Sequence, residues 1–333
     1  MKKIIFSLTF FIIVFSFSLS EAIKIPFGHV VGITGTPLIN EKPARIDQKV
    51  FVRDRIVTDS NSSLEIKTKR GNRFIIGPES NIVIKDRRNV EVKRGTLRSI
   101  INLLKPDEAF NVITTAGVAG VKGTEFLVYS SQSATAVFTK NGWVSLENKM
   151  ESVIVKSKEM SQSAKTTPPI SPINYEKDQV LKSLYTTLIS LTDLKIPAEM
   201  KKMKSLPNII ARWNINYTTY LLDKRRFNEA IKLLSIAFYF ATLKDLKAEA
   251  LFQRSMVISR FLKTYFDAIR DLNEIIDHYF DTKFYESALF QRGFIEFERK
   301  NYDMCKKYFL RYKKEFPNGK HIYTVNLLLK QIP

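Results

Sequence analysis

Apolar and polar positions change their rhythm once along this chain. In the first half Leu64, Ile66 and Thr68 alternate with charged neighbours, and Lys69-Arg70-Gly71-Asn72 interrupts the run before Phe74-Ile75-Ile76. Alternate residues of a strand face the same side, so this pattern predicts a β-hairpin. Gly77-Pro78 ends the second strand, Ile82-Val83-Ile84 opens another, Val90 and Val92 alternate up to Gly95, and Asn111-Val112-Ile113 follows Pro106. Short strands thus recur about every ten residues, as in an all-β sandwich or a solenoid-like roll. Ala136-Val137-Phe138 and Trp143-Val144-Ser145-Leu146 flank Asn141-Gly142, a pair that predicts a hairpin closed by a type I′ turn. Ser152 to Lys156 reads as one last strand.

Glycine follows the same division. Ten of the twelve lie between Gly28 and Gly142, and only Gly293 and Gly319 lie beyond. Between Met150 and Asp178 the sequence turns to Ser, Lys and Thr with Pro168, Pro169 and Pro172, which predicts a stiff linker over 161–174 that holds the halves apart. From Tyr175 the period becomes helical: Cys305, Tyr308, Phe309, Tyr312 and Phe316 fall on one helix face, and Phe290, Phe294 and Phe297 mark the helix before it.

That second half repeats itself. Ala250-Leu251-Phe252-Gln253-Arg254 recurs 38 residues later as Ala288-Leu289-Phe290-Gln291-Arg292. Phe227-Asn228-Glu229-Ala230, Phe266-Asp267-Ala268 and Tyr302-Asp303-Met304-Cys305 recur in step. Such a period predicts stacked helical hairpins, because one hairpin cannot bury its apolar face alone. The last unit resembles a tetratricopeptide repeat: Gly293 matches the small residue where its two helices approach, Cys305 the small position of the second helix, Phe309 its aromatic and Pro317 its terminating proline. Ala230 and Ala268 take the small position in the earlier units. About three repeats are expected over 208–317, with Tyr175–Met203 and His321–Lys330 as capping helices. The resemblance implies protein binding on the concave face, and makes Cys305 a packed core residue.

The β half resembles FecR domains over roughly residues 28–147. The residues that carry this are Thr58-Asp59-Ser60-Asn61-Ser62-Ser63, Gly71, Gly77-Pro78-Glu79-Ser80, Gly95, Thr114-Thr115-Ala116, Val121-Lys122-Gly123-Thr124-Glu125-Phe126 and Gly142-Trp143-Val144. Its sharpest part is Gly123, Thr124 and Phe126 followed by Gly142 and Val144. Gly123 and Gly142 read as turn positions, and Phe126 and Val144 as core-facing, which makes the set structural in role. FecR regulators join a sigma-factor-controlling segment and a transmembrane helix to a periplasmic domain. Before Gly28 this sequence has only a signal-peptide-like stretch, so the resemblance implies a periplasmic β module that binds another envelope component.

Residues 1–22 carry Lys2 and Lys3, an apolar run from Ile4 to Phe15 and the ending Ser20-Glu21-Ala22, the pattern of a cleaved secretory signal peptide. An uncleaved anchor is the rival, although the run is short for a membrane span. The expected division is a signal peptide at 1–22, a FecR-like β domain at 23–160, the linker at 161–174 and a helical repeat domain at 175–333. The fold class is therefore multi-domain, all-β followed by all-α.

Composition narrows the chemistry. With 53 Lys and Arg against 33 Asp and Glu the net charge is +20, so an anionic partner has to be weighed. The excess is spread over both halves, which does not suggest a nucleic-acid groove. Lys85, Arg87, Arg88, Lys93, Arg94 and Arg98 form the candidate basic patch, with a solvated strand face as the plain alternative. One cysteine excludes an internal disulfide, and three scattered histidines, His29, His278 and His321, provide no metal spacing or acid–base pair. Gly117, Gly120 and Gly123 lack dinucleotide spacing and precede a strand. No catalytic, cofactor or metal residue is expected. The sequence reads as a non-enzymatic, exported scaffold or signal relay that binds envelope proteins; the alternative is a surface binder of anionic glycan or lipid.

Overall fold

The computed structural model describes residues 24–102, 108–194 and 205–333. Its first part contains β1 (Pro26–Thr34), β2 (Leu38–Ile39), β3 (Lys42–Pro43), β4 (Lys49–Phe51), β5 (Arg55–Val57), β6 (Ser63–Lys67), β7 (Arg73–Ile76), β8 (Asn81–Ile84) and β9 (Asn89–Ile101). There follow β10 (Phe110–Thr114), β11 (Val118–Val121), β12 (Thr124–Ser130), β13 (Ala134–Asn141), β14 (Trp143–Glu147), β15 (Ser152–Lys156), β16 (Glu159–Ala164) and β17 (Ile173–Asn174). They build two facing sheets. The first has the order β4-β1-β6-β7-β9-β12-β13-β16-β17. The second has the order β3-β2-β5-β8-β9-β10-β11-β14-β15, antiparallel except for β9 with β10. The chain lays a hairpin in one sheet and then one in the other, so the sandwich is also a roll. Leu64, Ile66, Phe74, Ile82, Val92, Val112, Phe126 and Val144 fill the space between the sheets.

Strand β9 belongs to both sheets. Residues 89–94 pair with β8 and β10, and residues 95–101 with β7 and β12. The crossing falls at Gly95, with φ +101°. A Cβ there would lie 2.2 Å from Ser80 Oγ and 2.4 Å from Ser80 Cα, so only glycine fits. The Lys69-Asn72 hairpin forms as the alternation predicts. The Asn141-Gly142 hairpin does not: β13 pairs within the first sheet and β14 within the second, and Gly142 (φ +81°) is a corner between them. Asn-Gly permits a I′ turn, but strand pairing across each sheet decides where the chain goes next.

The second part holds, among the described residues, eight α-helices: α1 (Gln179–Leu191), α2 (Leu206–Asp223), α3 (Phe227–Phe240), α4 (Lys244–Val257), α5 (Tyr265–His278), α6 (Tyr285–Glu298), α7 (Tyr302–Glu315) and α8 (Ile322–Gln331). The pairs α2/α3, α4/α5 and α6/α7 stack as helical repeats. The expected cap over Tyr175–Met203 is a short 3₁₀ turn at Tyr175–Lys177 followed by α1, its last residues lying outside the described ones.

Two side-chain devices tie repeat to repeat. Asn208 Oδ1 accepts from the Thr242 amide at 2.8 Å, Asp245 Oδ1 from Lys283 N at 3.4 Å, and Glu286 Oε1 from Lys320 N at 2.8 Å. In each case a polar residue in the first turn of one helix satisfies a donor at the start of the corresponding helix of the next unit, where amides have no intrahelical partner. The repeated arginines form the second device. Arg254 Nη1 donates to Ser235 Oγ at 2.7 Å and Arg292 Nε to Asn273 Oδ1 at 3.0 Å, both reaching 19 residues back to the preceding hairpin. The neutralising carboxylate differs: Asp271 on α5 for Arg254, and Glu296 on α6 itself for Arg292.

The expected linker is not a spacer. Residues 159–164 are strand β16, and Ser161, Gln162, Ser163 and Ala164 are fully buried. The returning chain buries Ile170, pairs as β17 and inserts Tyr175. In β12 and β13 both faces are covered. Phe126, Val128 and Val137 point between the sheets, whereas Leu127, Tyr129, Ala136 and Phe138 join Leu184, Leu188, Trp213, Leu233 and Phe240 in a single core shared with α1–α3. The Gln162 and Asn214 amides, both fully buried, donate to each other at 2.9 and 3.0 Å across this joint. The sequence hid this because a strand of Ser, Gln and Ala, chosen for close approach, has the composition of a linker.

Candidate functional site

Gly123, Thr124, Phe126, Gly142 and Val144 converge on one place. At 122–124 the chain crosses from the second sheet to the first, and at Gly142 it crosses back. Thr124 Oγ1, nearly buried, donates to the Trp143 carbonyl at 3.0 Å and ties the two crossings together. A Cβ on Gly142 would meet the Gly123 carbonyl at 2.8 Å. Phe126 and Val144 then enter the inter-sheet core from the two strands that leave the corner. The motif makes a double corner, and presents no nucleophile or base.

The repeat positions are likewise internal. Ala230, Ala268 and Cys305 are the fourth residues of α3, α5 and α7, and all three are fully buried. A Cβ on Gly293 would stand 2.6 Å from the Phe309 ring, which shows how closely α6 and α7 pack. Pro317 follows Phe316, the residue that caps the end of α7, and is exposed. Burial pushes the Cys305 thiol up to about 11, and Glu296 adds to the rise, so the thiol form persists at neutral pH. A thiol-reactive dye at pH 8 is therefore expected to label the native protein far more slowly than the urea-unfolded chain. Equal rates would show that α7 does not protect this residue.

The six basic residues do not make one patch. Lys85 pairs with Glu91 at 3.7 Å, Arg88 with Glu108 at 2.9 Å and Arg94 with Glu79 at 3.6 Å. Arg98, beyond the crossing at Gly95, joins the first sheet and is clamped between Glu125 (2.6 Å) and Asp193 (2.9 Å), with its side chain only 14 % exposed. Glu125 in turn is held below the usual carboxylate range: burial works against its charge, but hydrogen bonds from Arg98 and Lys140 outweigh it. Lys93 and Arg87 are exposed. The switch of β9 between sheets takes Arg98 away from the other five, of which Lys85, Arg87 and Arg88 stand in the β8–β9 turn and Lys93 and Arg94 on β9 before the crossing.

The three histidines are separate. His29 lies in β1, His278 ends α5 beside Glu274, and His321 stacks on Phe290 at 4.1 Å. Among the described residues no group of three or more His, Cys, Asp or Glu side chains could hold a metal ion, and no helix is long and apolar enough to cross a membrane.

The surface with the character of a docking site is a groove of about 520 Å³ along α2. Ile209, Trp213, Asn216, Tyr217 and Tyr220 recur at three- and four-residue spacing and share one face of that helix. The Trp213 and Tyr217 rings stack at 4.8 Å, and Tyr220 continues the row at 5.2 Å from Tyr217. Trp213 is fixed from below, its Nε1 donating at 2.9 Å to Asp178, whose other oxygen caps α1 through Val180 N and Leu181 N. Beside it Arg212 makes a bidentate pair with Glu249 on α4, at 2.7 and 2.8 Å. Ile209 and Tyr220 remain 41 % and 47 % exposed. An aromatic shelf with a polar rim suits a protein segment, since aromatic side chains supply most contact energy for little lost freedom. The sequence carried a trace of it: aromatic residues at 213, 217 and 220 exceed what one core face needs.

Residues 54–145 match the family model described as FecR protein. The matched segment runs from the turn before β5 to the middle of β14 and includes both corners, so the chain carries a FecR domain within its sandwich. Two crystal structures of a protein from Parabacteroides distasonis, described as a "putative anti-sigma factor", are similar at 16 % identity with a TM-score of 0.33. Each similarity covers 36 % of this chain and 59 % of that one, less than two thirds of its length. No curated protein matches.

Proposed function

We propose that this chain is an exported, non-enzymatic envelope protein that docks protein partners on its helical repeats, a scaffold or signal relay with the FecR domain as its base. The observation that carries this reading is the aromatic groove on α2, set on a helix that shares its core with the sandwich. A partner seated there would press on an element anchored to the first sheet, which is what a relay between two modules needs. The tetratricopeptide-like pattern of Gly293, Cys305, Phe309 and Pro317 supports protein binding, and the signal-peptide-like segment, which lies outside the described residues, supports export. The FecR and repeat hallmarks are read as structural.

The test uses the full chain as bait in envelope extract, because a division near residue 165 would cut the shared core. Wild type is compared with an Ile209→Asp/Tyr220→Ala variant after a high-salt wash. The expected result is a defined protein held by wild type and reduced about tenfold or more by the variant, as removal of central apolar anchors typically causes. Equal retention by both, or only anionic glycan or lipid that salt releases, contradicts the reading.

A further inference from the structure

A second cavity, of about 720 Å³, opens at the end of the sandwich and does not involve the docking groove. Three separate stretches of chain send basic side chains to it: β4 gives Lys49, the β6–β7 turn gives Lys69 and Arg70, and the β8–β9 turn gives Arg87 and Arg88. Against these five cations stand two carboxylates, Asp47 and Glu108, so the lining carries 5 − 2 = +3 with His29 neutral. Glu108 is buried and organises two of the cations, receiving Arg70 Nη1 at 2.7 Å and Arg88 Nη2 at 2.9 Å. Each guanidinium gives one terminal nitrogen to that carboxylate. Lys49, Lys69 and Arg87 are exposed and make no ion pair among the described residues. The back of the cavity is apolar: Phe27 and Phe110 line it, both packed at a tilt against Phe74 of the core, with ring centroids 5.2 and 5.0 Å apart.

We infer that this cavity binds a small polyvalent oxyanion, a phosphate or carboxylate compound. Its size lies within the roughly 300 to 1,000 Å³ of small-ligand sites. Like charges gathered around a concave surface with low-dielectric walls repel one another and focus a positive potential into the space between them. An anion removes that repulsion, and the planar guanidinium fork matches an oxyanion better than it matches water. Glu108 fixes where Arg70 and Arg88 stand, and so acts as a positioning residue for the ligand. The convergence of cations from sequence-distant turns onto one cavity distinguishes this site from the dispersed basicity of the rest of the chain.

The test is titration calorimetry and thermal melting of the full chain at low ionic strength, with inorganic pyrophosphate in one arm and citrate in the other. At least one anion is expected to bind with saturation near one per chain and to raise the melting temperature; the arm that responds identifies the phosphate or the carboxylate source. A Lys69→Glu/Arg87→Glu variant is expected to lose affinity by about tenfold or more. Without ligand it should melt no lower than wild type, since it relieves repulsion. A Lys93→Glu/Lys149→Glu variant of equal charge, changed outside the cavity, should bind as wild type does. The inference is overturned if neither anion binds, or if both variants lose binding equally, which would mark a diffuse charge effect.

Discussion

A Gly95→Ala chain is expected to lose about 3 kcal/mol or more of stability and to fold poorly. Two costs add at this position. A positive φ in a residue with a Cβ costs about 1–2 kcal/mol, and forcing an extra carbon into a filled site costs about 1–3 kcal/mol. The second lies at its upper end because the obstruction at 2.4 Å is the Ser80 backbone, which no rotamer change can move. Ser80→Gly should therefore not rescue the variant. It should do further harm, since Ser80 Oγ accepts from Thr96 N and donates to the Gly77 carbonyl at the same crossing. Urea unfolding checks this; a loss under about 1 kcal/mol would mean that β9 does not need to change sheets here.

The second large effect concerns Arg254. Its guanidinium is held by Asp271 Oδ1 and Oδ2 at 2.6 and 2.7 Å, and the Asp271 side chain is only 2 % exposed. Removing one partner of a buried pair costs about 3–5 kcal/mol, and all that would remain beside Asp271 among the described residues is the exposed Arg270 at 4.0 Å, the outer limit of an ion pair. Arg254→Leu should fall in that range, and Arg254→Leu/Asp271→Leu should recover most of it. Arg292→Leu is expected to cost less although it stands in the corresponding position, because Glu296 keeps Arg299 at 3.1 Å. Calorimetric melts of the four chains test the order. Equal losses for the two arginines would show that their role is limited to the contacts with Ser235 and Asn273.

Where burial follows a simple period, the fold could be read in advance. Leu64-Ile66-Thr68 against Phe74-Ile75-Ile76 gave its hairpin, and the 38-residue recurrence of Ala-Leu-Phe-Gln-Arg gave the stacked helices. The arginine in that string clasps the previous hairpin, a role that only the structure shows. Two features were not legible. Asn141-Gly142 obeys a local rule that fits a hairpin, yet the chain leaves the sheet there, because β14 gains more by pairing with β11 and β15. Residues 159–164 read as linker because a strand covered on both faces, in close contact with helices, can be built from Ser, Gln and Ala without any hydrophobic alternation.

The candidate sites follow the same logic. A basic run in sequence suggested one patch, but β9 carries Arg98 into the other sheet, while Arg87 and Arg88 of the β8–β9 turn meet Lys49, Lys69 and Arg70 from distant parts of the chain at the cavity. Charge in three dimensions depends on topology, which composition does not carry. The FecR hallmarks were visible as glycines and core residues, but their meeting through Thr124 Oγ1 and the Trp143 carbonyl required both crossings to be placed.

The central claim is that the sandwich and the first helices are one body with one core. Native-state hydrogen exchange of the full chain in graded urea tests it most directly, comparing the amides of β13 with those of α3. These elements meet through Ala136, Phe138, Leu233 and Phe240. The account predicts that both sets exchange by the same opening, with free energies that merge before the global transition. If α3 opens at a clearly lower free energy while β13 stays protected, the two halves are separate domains in loose contact, and the proposed relay between them fails.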